Sequence, residues 1–165
     1  RAHNCWRISL KCLVSFPFPY DTHSSALTEL NLSGICFPAY NDIAAAFTTL
    51  KRQLIKLQIA HCQLTANHFP QLSSDSRMQW LDVSNNPLHA SGLQAILSEF
   101  PMVVHLEARG VALLGDLEQL DMKPSLNFLD LNFNVLQDWF VKYLRAKIKS
   151  GTPKIELDYA LIQDG

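Results

Sequence analysis

The sequence predicts an α/β protein: a parallel sheet with helices packed along one side of it. Three observations lead there. First, one short pattern, L-x-x-L-x-L-x-x-N/C-x-L with apolar substitutions, recurs along the chain. Its clearest copies are "LIKLQIAHCQL" (54–64), "MQWLDVSNNPL" (78–88) and "LNFLDLNFNVL" (126–136); weaker ones are "LTELNLSGICF" (27–37), "VVHLEARGVAL" (103–113) and "TPKIELDYALI" (152–162). Second, the fourth positions, Leu30, Leu57, Leu81, Leu106, Leu129 and Ile155, follow one another at spacings of 27, 24, 25, 23 and 26 residues. A single match would mean little in a leucine-weighted chain; near-constant spacing over six copies is a repeat. Third, most segments between copies carry apolar residues at helical spacing.

Within a copy, positions 4 and 6 point to one side of a strand, and positions 3, 5 and 7 to the other. Residues 1–26 form a divergent N-terminal repeat and loop. A poor copy starts at Cys5, with Ile8 and Leu10 in its two core positions, and "SFPFPYDTHSS" (15–25) is a surface connection. Residues 27–165 form the repeat domain proper. After the first copy, Asn41 or Asp42 caps a helix that buries Ile43, Phe47 and Leu50. After the second, "TANHFPQLSS" (65–74) is too short, and too broken by Pro70, for more than a turn or two. After the third, Ser91 caps a helix with Leu93, Ile96, Leu97 and Phe100 at i, i+3, i+4, i+7. After the fourth, Asp116 starts a short helix with Leu117 and Leu120. After the fifth, Asp138 caps a helix carrying Val141, Leu144 and Ile148 inward, ended near Ser150-Gly151-Thr152-Pro153. No helix follows the sixth, which leaves Ile155 and Leu157 half covered. The expectation is a piece of a longer protein.

These copies resemble the leucine-rich-repeat family, in its helix-bearing subclass typified by ribonuclease inhibitor, over residues 27–162. The resemblance implies a solenoid. Strands sit ~4.8 Å apart and helices need ~10 Å, so the stack curves, with strands on the concave face and helices on the convex one. It also implies a non-catalytic protein–protein interaction scaffold, inside a larger chain or complex. Actin or signalling scaffolds, substrate-recognition modules of ubiquitin ligases and sensor segments of innate-immune receptors all fall within that class.

Composition removes several other functions. With 14 Lys and Arg against 15 Asp and Glu, the net charge is −1, which opposes bulk attraction to nucleic acid or an anionic membrane. "RAKIK" (145–149) is the one modest basic stretch, and it sits where positive charge suits a helix end. No apolar run reaches the ~20 residues that span a bilayer. Cys5, Cys12, Cys36 and Cys62 form no CxxC pair, which fits small buried side chains in a reducing compartment, cytoplasmic or nuclear. The sequon Asn31-Leu32-Ser33 reads as a chance match within a strand. No nucleophile-elbow, phosphate-loop, zinc-protease or deaminase motif is present. His61 beside Cys62 is structural, because Cys62 occupies an inward repeat position. No cofactor, metal or small-molecule substrate is expected.

The concave rows carry the functional expectation. Position 3 reads Glu29, Lys56, Trp80, His105, Phe128, Lys154. Position 5 reads Asn31, Gln58, Asp82, Glu107, Asp130, Glu156. Position 7 reads Ser33, Ala60, Ser84, Arg109, Asn132, Asp158. Position 8 adds Phe133 and Tyr159. Stacked acids repel and exposed aromatic area stays wet, so a partner bringing basic and apolar groups relieves both. The binding residues are therefore Trp80, Asp82, His105, Glu107, Phe128, Asp130, Phe133, Glu156 and Tyr159, and the partner is a basic or aromatic-docking protein segment. Trp80→Ala or Asp130→Lys is expected to weaken capture with little loss of melting temperature. In the inward position 9, Asn86 and Asn134 hydrogen-bond turn backbone, Cys62 approximates them, and Ile35, Val111 and Ala160 depart from the pattern.

Overall fold

The computed structural model describes residues 5–7, 28–35, 53–69, 77–113, 117, 120, 122, 125–149 and 154–163. Six short parallel strands form its sheet: β2 (Glu29–Asn31), β3 (Lys56–Gln58), β4 (Trp80–Asp82), β5 (His105–Glu107), β6 (Phe128–Asp130) and β8 (Lys154–Glu156). A further strand, β1 (Cys5–Arg7), pairs with β2 at one edge. Spatial order follows chain order, and each strand meets the next at the same repeat position. Leu30, Leu57, Leu81, Leu106, Leu129 and Ile155 are consecutive partners across the sheet. The register is thus the one that the sequence periodicity predicts, with one correction. Trp6, not Ile8, lies opposite Leu30, so the first copy begins two residues earlier than expected; Ile8 and Leu10 lie outside the described residues.

The ladder outlasts the three-residue strands. The N–H groups of Ile59, Val83, Ala108 and Leu131, all at position 6, bond the position-5 carbonyls of Asp82, Glu107, Asp130 and Glu156 at 2.9–3.0 Å. These are the evenly spaced bonds of parallel pairing. Behind them lies one continuous core. Leu32, Leu57, Ile59, Leu81, Val83, Leu106, Ala108, Leu129 and Leu131 are buried, as are the position-11 residues Leu64, Leu88, Leu113 and Leu136. Ile155 and Leu157 are only partly buried against this core, as expected.

Helix α1 (His89–Glu99) buries Ala90, Gly92, Leu93, Ile96 and Leu97. Its start differs from expectation. Leu88, not Ser91, is the N-cap, and no side chain caps it. The entry is held from the next copy instead: His89 N–H bonds Val111 O at 3.1 Å, and His89 Nδ1 lies 2.9 Å from Ala112 O. Phe100 and Phe69 meet edge-on at 6.4 Å, joining α1 to a 3-10 turn, Ala66–His68, in the segment before Pro70. Helix α2 (Asp138–Lys149) buries Phe140, Val141 and Leu144. Asp138 begins it and pairs with Lys142 one turn on. Between β6 and α2 runs β7 (Val135–Gln137), which pairs in parallel with β9 (Leu161–Gln163) as a separate two-stranded ribbon. Leu117 and Leu120 are buried, but Asp116 and the expected helix over residues 41–50 lie outside the described residues.

Candidate partner-binding face

Positions 3 and 5 of each strand face away from the core, since successive side chains alternate. The position-3 row forms a stack. Trp80 and His105 rings lie 5.1 Å apart at 18°, and His105 and Phe128 lie 4.2 Å apart at 13°. Both ends carry a cation: Lys56 Nζ stands 4.1 Å above the Trp80 ring and Lys154 Nζ 5.4 Å from the Phe128 ring. Each ring therefore satisfies its neighbour, and the negative ring faces at the two ends meet ammonium groups. All three rings are half-buried.

The position-5 row is bound into the protein rather than left to repel. Asp82 Oδ1 accepts from Ser84 N–H at 3.0 Å, and Asp130 Oδ1 from Asn132 N–H at 2.9 Å; Asn31 does the same for Ser33. Each closes its own turn, a local use that suits Asn and Asp. Arg109, at position 7, then spans two copies. Its Nε donates to Asp130 Oδ2 and its Nη2 reaches Glu107 Oε2 at 3.1 Å. The hydrogen bond to Asp130 raises the Arg109 guanidinium above its ordinary range; burial opposes this, and the charges of Glu107, Asp130 and Asp82 add to it. His105 Nε2 sits 3.3 Å from Glu107 Oε1, and Lys154 bonds Glu156 at 2.7 Å, which raises the Lys154 ammonium above its usual range. Asp130 is fully buried at 0% exposure, so it offers nothing to a partner directly.

The turns beyond the strands are built by three further rows. At position 7, Ser33 Oγ accepts from Ala60 N–H, Ser84 Oγ from Arg109 N–H and Asn132 Oδ1 from Tyr159 N–H, each reaching into the next copy. At position 9, Asn86 accepts from Cys62 and Leu64 N–H at 2.9 and 3.0 Å and donates to Ile59 and Val83 carbonyls at 2.8 and 2.7 Å. Asn134 accepts from Val111 N–H and donates to Ala108 and Leu131 carbonyls. Cys62 Sγ donates more weakly to Leu32 and Ala60 carbonyls at 3.2 and 3.3 Å. The Val111 N–H is thus served by the next copy's asparagine, as the Cys62 N–H is by Asn86. At position 8 the backbone is left-handed in five copies, with φ of +81° at Gly34, +55° at His61, +56° at Asn85, +56° at Gly110 and +60° at Phe133. Glycine and asparagine suit that region; phenylalanine does not.

Phe133 and Tyr159, at the turns, differ from these rows. Their rings stack at 5.3 Å and 7°, yet remain 63% and 67% exposed. The nine expected residues therefore fall into three groups. Trp80, His105 and Phe128 share one stack. Asp82, Glu107, Asp130 and Glu156 share a row with structural partners. Phe133 and Tyr159 form a separate pair at the turn. Sequence reasoning missed Arg109, although a lone base between acids at positions 107 and 130 was the available signal. Among the described residues no group of three His, Cys, Asp or Glu side chains is placed to hold a metal ion. None of their helices is long and apolar enough to cross a membrane. No protein-family model and no curated protein matches the chain.

Proposed function

We propose that this chain is a curved leucine-rich-repeat solenoid that acts as a non-catalytic scaffold, holding a protein partner on its concave strand face. Six copies in constant register support the architecture. The observation that carries the function is the pair Phe133–Tyr159: two large rings left mostly in water, one on a left-handed backbone that the two preceding copies fill with asparagine and glycine. An exposed aromatic on a strained backbone stabilises nothing obvious in the free protein, and aromatic anchors ringed by polar groups are what interface hot spots are made of. The half-buried Trp80–His105–Phe128 stack, on the strands of the same repeats, adds further aromatic area.

Affinity capture with the whole chain tests this. The comparison is wild type against Phe133→Asn with Tyr159→Ser, and against Trp80→Ala with Phe128→Ala, each checked for a cooperative melt. Loss of the same captured protein in the first variant supports the reading. Full capture by both folded variants removes this face.

A further inference from the structure

We propose that Asp82, on the concave strand face, anchors a lysine side chain supplied by the protein partner. This rests on the scaffold reading and names the chemistry of what the scaffold holds. It starts from a charge that the fold does not use. In the position-5 row, three of the four acids hold a cation: Glu107 meets Arg109 at 3.1 Å, Asp130 accepts from Arg109 Nε, and Glu156 bonds Lys154 at 2.7 Å. Asp82 instead makes one hydrogen bond, accepting from Ser84 N–H at Oδ1. Among the described residues no ion pair reaches it, and its Oδ2 has no partner. Lys56, on the neighbouring strand, is turned to the Trp80 ring at 4.1 Å. Arg109 is turned to Glu107 and Asp130, and feels Asp82 only through its charge. The turn itself needs an acceptor, not a charge: Asn31 holds the same place in the first copy and accepts from Ser33 N–H at 2.9 Å with a neutral amide. Aspartate at 82 therefore adds no hydrogen bond to its turn. It adds a half-buried carboxylate without a counter-ion, which costs free energy until a cation pairs with it.

The acceptors left open select the ligand. Asp82 lies between Gln58 and Glu107, its partners on the flanking strands. Both Glu107 oxygens are taken, one by His105 and one by Arg109. Gln58 is half-buried, and its side-chain amide makes no hydrogen bond to a described residue. What remains is one carboxylate oxygen and one amide on adjacent strands, whose backbones lie ~4.8 Å apart. A guanidinium is matched by two oxygens of one carboxylate, and here one of the two already serves the turn. An ammonium is a compact point charge with three rotatable donors, so it can divide between Asp82 Oδ2 and the Gln58 oxygen. Charge agrees. Asp82, Glu107 and Asp130 face two cations, Arg109 and Lys56, so one more positive charge completes the balance.

The test is a titration of the 15N-labelled chain with the amides of acetyl-Gly-Lys-Gly, acetyl-Gly-Arg-Gly and acetyl-Gly-norleucine-Gly to about 100 mM, at constant ionic strength. The lysine peptide should give saturable shifts at the Asp82 and Ser84 amides and at the Gln58 side-chain amide, roughly threefold or more tighter than the arginine peptide. The norleucine peptide should give none. Asp82→Asn keeps the turn acceptor, as Asn31 does, so it should abolish the shifts and leave the urea midpoint in place. Gln58→Ala should weaken them. An arginine response equal to or tighter than that of lysine, shifts that survive Asp82→Asn, shifts confined to exposed Asp158, or a midpoint that falls in Asp82→Asn would each overturn the proposal. The two readings fail separately. Capture lost in the Phe133→Asn, Tyr159→Ser variant without a lysine response sinks only the lysine site; lysine binding with capture unchanged in both aromatic variants sinks only the aromatic reading.

Discussion

Two aromatic groups run along the same repeats, one on the strands and one at the turns beyond them, and they are built in opposite ways. The Trp80–His105–Phe128 stack ends in lysines, lies beside carboxylates that close their own turns or pair with Arg109, and is half-buried. The Phe133–Tyr159 pair has no cation over it among the described residues, stands mostly in water and rests on a left-handed backbone at Phe133. The difference separates groups that hold the sheet together from groups that the sheet only presents. Residue type alone does not make that distinction. It appears when each ring and each charge is followed to its partner.

The largest effect should come from the row that seemed most available to a partner. Asp130→Lys removes a buried acceptor from the Asn132 turn, leaves Arg109 facing a new cation and puts an unpaired charge in a fully buried site. Breaking a buried pair in this way costs roughly 3–5 kcal/mol. Arg109 is itself partly exposed, which favours the lower end. Urea unfolding should show a clear drop in midpoint. A midpoint within error of wild type would mean that Asp130 is not structural. The charge reversal that looked from sequence like a clean probe of binding is thus a probe of folding.

That reversal shows where sequence reading stops. The strand register was legible because it depends on one repeated period, and Leu30 through Ile155 recur with it. The roles of Asn86 and Asn134 were legible because an amide at an inward position has little else to do than serve turn backbone. Arg109 was not, since its partners lie diagonally in its own and the next copy, a relation that within-copy patterning does not display. Helix α1 was placed correctly but begins earlier than a Ser91 cap implies, because its first N–H, at His89, finds an acceptor in Val111 O of the neighbouring copy and no local side chain caps it. The β7–β9 ribbon was missed for a similar reason: it pairs turn residues of two copies, and neither segment alternates clearly enough to read as a strand.

A middle-sized effect tests the stack. His105 touches both Trp80 and Phe128 and reaches Glu107, so His105→Ala opens the ladder at its centre. Two aromatic contacts of about 0.5–1.5 kcal/mol each, partly recovered by relaxation and water, suggest a loss of about 1 kcal/mol. Thermal melting of variant and wild type at one pH measures it. An unchanged melt would place the ladder with the presented groups rather than the structural ones.

The smallest effect on stability should be at Phe133. Phe133→Asn gives up the stacking contact with Tyr159, which is worth little between rings this exposed. It gains a residue that tolerates positive φ, so part of the backbone strain is relieved. The two changes oppose each other, and the net shift should stay within about 0.5 kcal/mol. A large fall in melting temperature would show that Phe133 supports the fold through Tyr159. Near-zero change combined with lost capture is the result that separates presentation from support. His105→Ala should give the reverse pattern, a lower melt with capture reduced only as far as the ladder itself touches the partner. The two substitutions together divide the aromatic residues of these repeats into a structural and a functional part.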